Sequence, residues 1–165
     1  MHYSLPTAHS HMTPERKMIE QCACHRIRMA ARTVTRAYDD ALRPVGLRAT
    51  QLSVLAAVAI DGAISITALA QLMGMDRSTL TRNLAPLEKE SLLSVGSEGW
   101  RRSRTLSITA KGRARLQEAY PLWESAQKRF KQEVGGLKWG EVQGSLDHLT
   151  QTAVRAVRGA AKATR

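Results

Sequence analysis

The 165-residue sequence predicts a mainly α-helical fold with one small β-hairpin, and three observations carry that expectation. Apolar residues recur at steps of three and four through most of the chain, as on the buried stripe of a helix. Aromatic residues make up only 4% of a chain that is 43% hydrophobic, so the core must come from Leu, Ile, Val, Ala and Met, the mix of packed helices. Residues 102–109, RSRTLSIT, alternate instead. Leu106 and Ile108 fall on one side, Ser103, Thr105 and Ser107 on the other, as in a strand with one buried face.

Residues 1–14 read as a disordered tail, without the charged and apolar segments of a signal peptide. From Glu15 to Arg43 the pattern predicts one unbroken helix, with Ile19, Ala23, Ile27, Ala30, Val34, Ala37 and Ala41 on a seam near heptad spacing. Arg43-Pro44-Val45-Gly46 ends it, since proline disfavours helix in the residue before it and glycine supplies the turn. The segment ATQLSVLAAVAI is apolar nearly all round and predicts a buried strut, stopped at Asp61-Gly62. Two closely spaced helices, ITALAQLM and DRSTLTRNLAPLEKES, precede the hairpin. Its strands are LLSV and RSRTLSIT, with Gly96 and Gly99 near the tip. Thr109 is placed to cap the next helix, although Gly112 stands where a capping-box glutamate would be. That helix carries Leu116, Ala119, Trp123, Ala126, Phe130 and Val134 on one stripe, and Pro121 is expected to bend it. After Gly135-Gly136 a last helix shows Trp139, Val142, Leu146, Leu149 and Ala153, and residues 159–165 read as a basic tail. The long terminal helices have more apolar face than a small middle domain can cover. Dimerisation is the economical solution.

Twenty-five Lys and Arg against fourteen Asp and Glu leave a net charge of +11. Nucleic acid is therefore the first partner to consider and an anionic membrane surface the second. No apolar run is long enough to cross a bilayer. Two cysteines two residues apart cannot make a disulfide framework, and with no export signal they point to the reducing cytoplasm.

The DNA expectation becomes specific in TALAQLMGMDRSTLTRNL. Ala70 is small where two helices must cross, Gly74 lets the chain reverse, and Met75, Leu80 and Leu84 supply an inward face. This is the helix-turn-helix pattern. Asp76 is placed as N-cap of the second helix, whose outward face offers Arg77, Ser78, Thr79, Thr81 and Arg82. Arginine can grip guanine, hydroxyls reach base edges or phosphates, and a helix N-terminus attracts phosphate. An ordinary helical hairpin with a solvated polar face would show the same residues. The hairpin that follows favours DNA, because Arg101, Arg102 and Arg104 make it a wing suited to flanking backbone or the minor groove. The domains expected are thus an N-terminal dimerisation helix over 15–45, a winged helix-turn-helix over 46–109 and C-terminal dimerisation helices over 110–158.

Through the long first helix, SITALAQLMGMDRSTLTRNLAPLEKESLL and the passage RRSRTLSITAKGR, residues 16–158 resemble the MarR family of bacterial transcriptional regulators. The resemblance implies a roughly triangular homodimer on a pseudo-palindromic operator, usually a repressor released by a small molecule or an oxidant. It also implies that Ser78, Thr79, Thr81 and Arg82 lie on the groove-reading helix and that Arg102 is the wing arginine. Two departures stand out. Trp100 occupies the place of the family's wing aspartate, with Glu98 two residues away. Pro86 lies inside the recognition helix, where a proline costs about 3 kcal/mol and predicts a bend.

Cys22 and Cys24 fall about 200° apart on a continuous helix. They read as small packing residues, as a redox switch by analogy with the early-helix cysteine of the family's hydroperoxide regulators, or with His25 as a soft-metal site. Family effectors, often phenolic acids, bind between dimerisation helices and winged helix. His25, Arg28, Arg32 and Tyr38 are candidates for an aromatic carboxylate, although a solvated arginine face explains them too. No phosphate loop, metal-ligand cluster or carboxylate pair suggests an enzyme, a cofactor or a resident metal. A nonspecific architectural DNA-binding protein is the remaining alternative.

Overall fold

The computed structural model describes residues 13–96, 105–134 and 139–163, the last from residue 157 by backbone alone. In chain order the elements are α1 (Pro14–Glu20), α2 (Ala23–Leu42), a 3-10 turn (Arg43–Val45), α3 (Ala49–Asp61), β1 (Ala63–Ser65), α4 (Ile66–Leu72) and α5 (Arg77–Lys89). Then come β2 (Leu93–Val95), β3 (Thr105–Ile108), α6 (Ala110–Glu133) and α7 (Trp139–Ala163). No helix among the described residues is long and apolar enough to cross a membrane. The chain divides into two compact units, one ending at Leu122 and the other beginning at Trp123.

In the first unit, the expected single helix from Glu15 to Arg43 is broken. Gln21 closes α1, and Cys22, extended at φ −70° and ψ 113°, opens α2. The Glu20 carbonyl, which a continuous helix would give to the Cys24 amide, instead accepts from Arg26 Nε at 2.7 Å. The 200° separation of the two cysteines therefore does not apply. At the far end, Gly46 takes φ +67° and turns the chain into α3. The strut α3 buries Val54, Leu55, Ala57 and Val58, but Ile60 is 83% exposed at its end, so the helix is one-sided.

The expected hairpin is part of a three-stranded antiparallel sheet in the order β1-β3-β2. β1 escapes sequence detection because three residues are too few to show alternation. Its register sets Ile64 opposite Leu106, and β2 sets Leu93 opposite Ile108. Leu106 and Ile108 face inward as the alternation demands. Leu42, Leu55, Leu69, Leu80, Leu84, Leu87 and Leu92 join Leu106 as the largest fully buried side chains. Full burial of each leucine contributes roughly 1.5–3 kcal/mol.

α5 and α6 both run on past their prolines, Pro86 and Pro121. In the second unit, Phe130 and Trp139 meet edge to face with centroids 5.9 Å apart, and Lys131 Nζ lies 5.6 Å from the Trp139 ring. Here α7 carries on to Ala163, past the point near Arg158 where a basic tail was expected. Ala160, Ala161 and Ala163 explain it, since alanine is the strongest helix former.

Candidate nucleic-acid interface and adjoining clefts

The helix-turn-helix is built as its residue types require. Ser65 caps α4 by accepting from the Ala68 amide at 3.1 Å, and Ala70, 3% exposed, allows the close crossing. Gly74 takes φ +60°, a conformation costly for any residue with a Cβ, and the Met75 amide returns to the Ala70 carbonyl at 2.9 Å. Leu80, Leu84 and Leu87 then anchor α5 in the core. Arg77, Ser78, Thr81 and Arg82 are left exposed, and Thr79 half-buried.

Asp76 organises this outward face. Its Oδ1 accepts from the Thr79 amide at 2.8 Å and from Ser78 Oγ at 2.5 Å, and its Oδ2 accepts from Thr79 Oγ1 at 2.7 Å. Thr79 Oγ1 in turn accepts from Arg82 Nη2 at 3.3 Å, and Thr81 Oγ1 donates to the Arg77 carbonyl at 2.8 Å. The Ser78 hydroxyl, followed by the Thr79 amide and hydroxyl, holds the Asp76 carboxyl well below the usual carboxylate range. The α5 N-terminus thus already holds an anion.

The wing is described only at its base. Val95 pairs with Leu106, and the Gly96 amide donates to the Thr105 carbonyl at 2.7 Å. Arg101, Arg102 and Arg104, with Glu98 and Trp100, lie outside the described residues. That base is tied to its neighbours by Thr109, whose Oγ1 donates to Ser91 O at 2.8 Å and accepts from the Gly112 amide at 2.9 Å, the expected cap of α6. Lys111 Nζ donates to Glu90 O at 2.7 Å, and Arg115 Nη1 to Val45 O at 2.8 Å. The end of α5, the start of the sheet and the α2–α3 turn are therefore held by one stretch of α6.

Two clefts open in the first unit. The larger, about 970 Å³, is lined by Arg36, Asp39 and Asp40 of α2, by Arg43, Gly46, Leu47 and Arg48 of the turn, by Thr50 and Gln51 of α3, and by Arg82, Asn83 and Pro86 of α5. Its acids are engaged: Asp40 with Arg43, and Asp39 with the Ala49 amide at 2.7 Å. Among the described residues, Arg36, Arg48 and Arg82 form no ion pair with a carboxylate, so the cleft favours an anion. The smaller, about 470 Å³, gathers Cys22, Cys24, His25, Arg28 and Arg32 with Met18 and Met29. Both thiols are free, and Cys24 is exposed. Tyr38 lines neither of these clefts, and burial pushes its phenol up. Among the described residues, no three His, Cys, Asp or Glu side chains are grouped to hold a metal ion. Sequence reasoning missed the larger cleft. Its lining is scattered over α2, a turn, α3 and α5, and no spacing along the chain signals that.

Residues 45–103 match the model of the MarR family. The transcriptional regulator MosR of M. tuberculosis is 38% identical, with a TM-score of 0.73, over 83% of this chain and 98% of that one. In complex with DNA, MosR is 40% identical with a TM-score of 0.75, over 82% and 98% of the two chains. Bordetella bronchiseptica BpsR, whose DNA binding is regulated by 6-hydroxynicotinic acid, is 25% identical with a TM-score of 0.66, over 82% and 95%. No curated protein sequence matches the chain.

Proposed function

The chain belongs to the MarR family of DNA-binding transcriptional regulators, and from that premise we propose that it is a homodimeric repressor of a pseudo-palindromic operator, released by a small aromatic carboxylate. The outward face of α5 carries the reading. Arg77, Ser78, Thr81 and Arg82 stand exposed on a helix whose opposite face is locked into the core by three leucines. Arg101, Arg102 and Arg104 would add wing contacts. The DNA complex of the 40% identical MosR supports DNA as the partner.

Dimerisation is supported by apolar side chains that the single chain leaves in water. Met18, Ile19, Ile27 and Met29 of α1 and α2 are 47–70% exposed, and Leu146, Leu149 and Val154 of α7 are 45–54% exposed. A second copy would cover them. The larger cleft suits the effector, since its volume fits a small ligand, its guanidiniums suit a carboxylate, and Arg82 belongs to both cleft and reading helix. A carboxylate there competes with DNA for that arginine. BpsR, which answers to an aromatic carboxylate, supports the class. Hydroxyl-radical footprinting tests the proposal. One protected inverted repeat is expected, whereas uniform coverage would make the protein architectural.

A second reading is favoured by the break before α2, which frees Cys22 from helical geometry and places it with Cys24 in one cleft. Here the two thiols close to a disulfide, giving up two protons and two electrons to a hydroperoxide that becomes water and an alcohol. The soft-metal version lacks a grouped ligand set among the described residues. Cumene hydroperoxide should abolish operator binding by wild type but not by Cys24→Ser. Equal loss in both would end the thiol reading.

A further inference from the structure

Each hydroxyl on the α5 face has one proton to donate and two lone pairs to offer. In this structure all three protons are committed within the protein. Ser78 Oγ and Thr79 Oγ1 donate to Asp76 at 2.5 and 2.7 Å, and Thr81 Oγ1 donates to the Arg77 carbonyl at 2.8 Å. Toward solvent these side chains therefore present acceptors alone. Thr79 has one lone pair taken by Arg82 Nη2 at 3.3 Å, which leaves it one.

We propose that Asp76 is a positioning residue that sets base selectivity, by turning Ser78 and Thr79 into obligate acceptors that read the exocyclic amino groups of adenine and cytosine in the major groove. The inference rests on α5 being the reading helix, as proposed above. Its chemistry follows from the edges of the bases. Adenine N6 and cytosine N4 carry donors, while guanine O6 and N7 and thymine O4 are acceptors that would face a second acceptor. The same commitment keeps these hydroxyls from donating to phosphate. Guanine and the backbone are left to Arg77 and Arg82. Asp76 is a costly residue for this place on charge alone, since a carboxylate beside DNA repels phosphate. Its cap could be supplied by a neutral serine or asparagine. What a neutral cap with one acceptor oxygen cannot do is take the amide and both hydroxyl protons at once.

Selection of bound duplexes from a random-sequence DNA pool tests this, with wild type, Ser78→Ala, Thr79→Ala and Asp76→Ser compared at one salt concentration. The alanine variants mark the positions that each hydroxyl reads, as those where selectivity falls. At these positions wild type should prefer adenine over guanine and cytosine over thymine by about fivefold, the worth of one hydrogen bond. Asp76→Ser keeps a cap for the Thr79 amide but frees the hydroxyl protons. It should lose the preference at those positions alone, where a merely structural cap would weaken binding to all duplexes alike. If the positions respond but select guanine or thymine, or if Asp76→Ser leaves their preference intact, the assignment of Asp76 is overturned while α5 remains the reader. If no position responds to either alanine variant, the two hydroxyls read no base and the assignment of Asp76 falls, with α5 still able to read through Arg77 and Arg82. If wild type selects no sequence from the pool at all, both proposals fall.

Discussion

Gly112, in the first turn of α6, is the position where one added methyl group tests the packing beneath the wing. A Cβ there would stand 2.1 Å from the Leu92 carbonyl oxygen and 2.8 Å from Ile108 Cγ1, where real Cβ atoms keep beyond 3.0 Å. The carbonyl has little room to yield, because it accepts from the Thr109 amide at 3.2 Å and lies 3.2 Å from the Thr109 hydroxyl. In Gly112→Ala the helix and the strand it abuts must therefore part by close to an ångström. Overpacking of this kind costs about 1–3 kcal/mol, and a weakened Leu92 hydrogen bond about 1 kcal/mol more. Alanine's better helix propensity returns about 1 kcal/mol. The net loss is about 2 kcal/mol, or roughly 4–8 °C in Tm for a chain of this length. Thermal and urea unfolding at one fixed protein concentration would measure it, since the melting of a dimer depends on concentration. An alanine variant as stable as wild type would refute the packing of α6 against β2 and β3. Leu92 leads directly into β2, so the same variant should also bind DNA more weakly.

Arg102→Ala should weaken binding to all duplexes alike and reduce the salt dependence by about 0.9 log unit per log unit of salt, the share of a single neutralised phosphate. Arg82→Ala should in addition relax base preference, as quantitative gel shifts on matched and mismatched duplexes would show. An aromatic carboxylate such as 6-hydroxynicotinic acid should displace wild type from its duplex at concentrations that leave Arg48→Ala bound, read by fluorescence anisotropy of the labelled duplex. Asp76 gives a pH signature. Its carboxyl is held below its ordinary 3.8 chiefly by the Ser78 hydroxyl, so the folded chain keeps the charge while the unfolded chain takes up a proton. That contribution is complete above about pH 4 and drains away as pH falls further. Asp76→Ser should accordingly lose less stability than wild type between about pH 6 and pH 3 in thermal unfolding.

Much of the architecture is legible in local chemistry. Gly74 after Ala70, Asp76 before a helical run, and Leu106 alternating with Ser107 each state a backbone or burial requirement that neighbouring residues cannot mask. Features that depend on distant partners are not legible. At the break before α2, Arg26 reaches back to the Glu20 carbonyl, and β1 exists only because β3 pairs with it. Gly112 reads as a poor cap residue until Leu92 is seen against it. The site divides in the same way. Arg77 to Arg82 follow from helical spacing, but the donor and acceptor state of their hydroxyls depends on where each proton goes. The larger cleft draws on four separate elements, so Arg36 and Arg48 carry no local mark. The wing arginines, within residues 97–104, rest on the sequence alone.

Helical phasing tests most directly whether two copies of α5 read one face of a duplex. Binding would be measured on a selected duplex and on one with half a helical turn, about five base pairs, inserted between its half-sites. The proposed dimer predicts a drop in affinity of about a hundredfold or more, because only one half-site could then be engaged at a time. Unchanged affinity on the inserted duplex would contradict it.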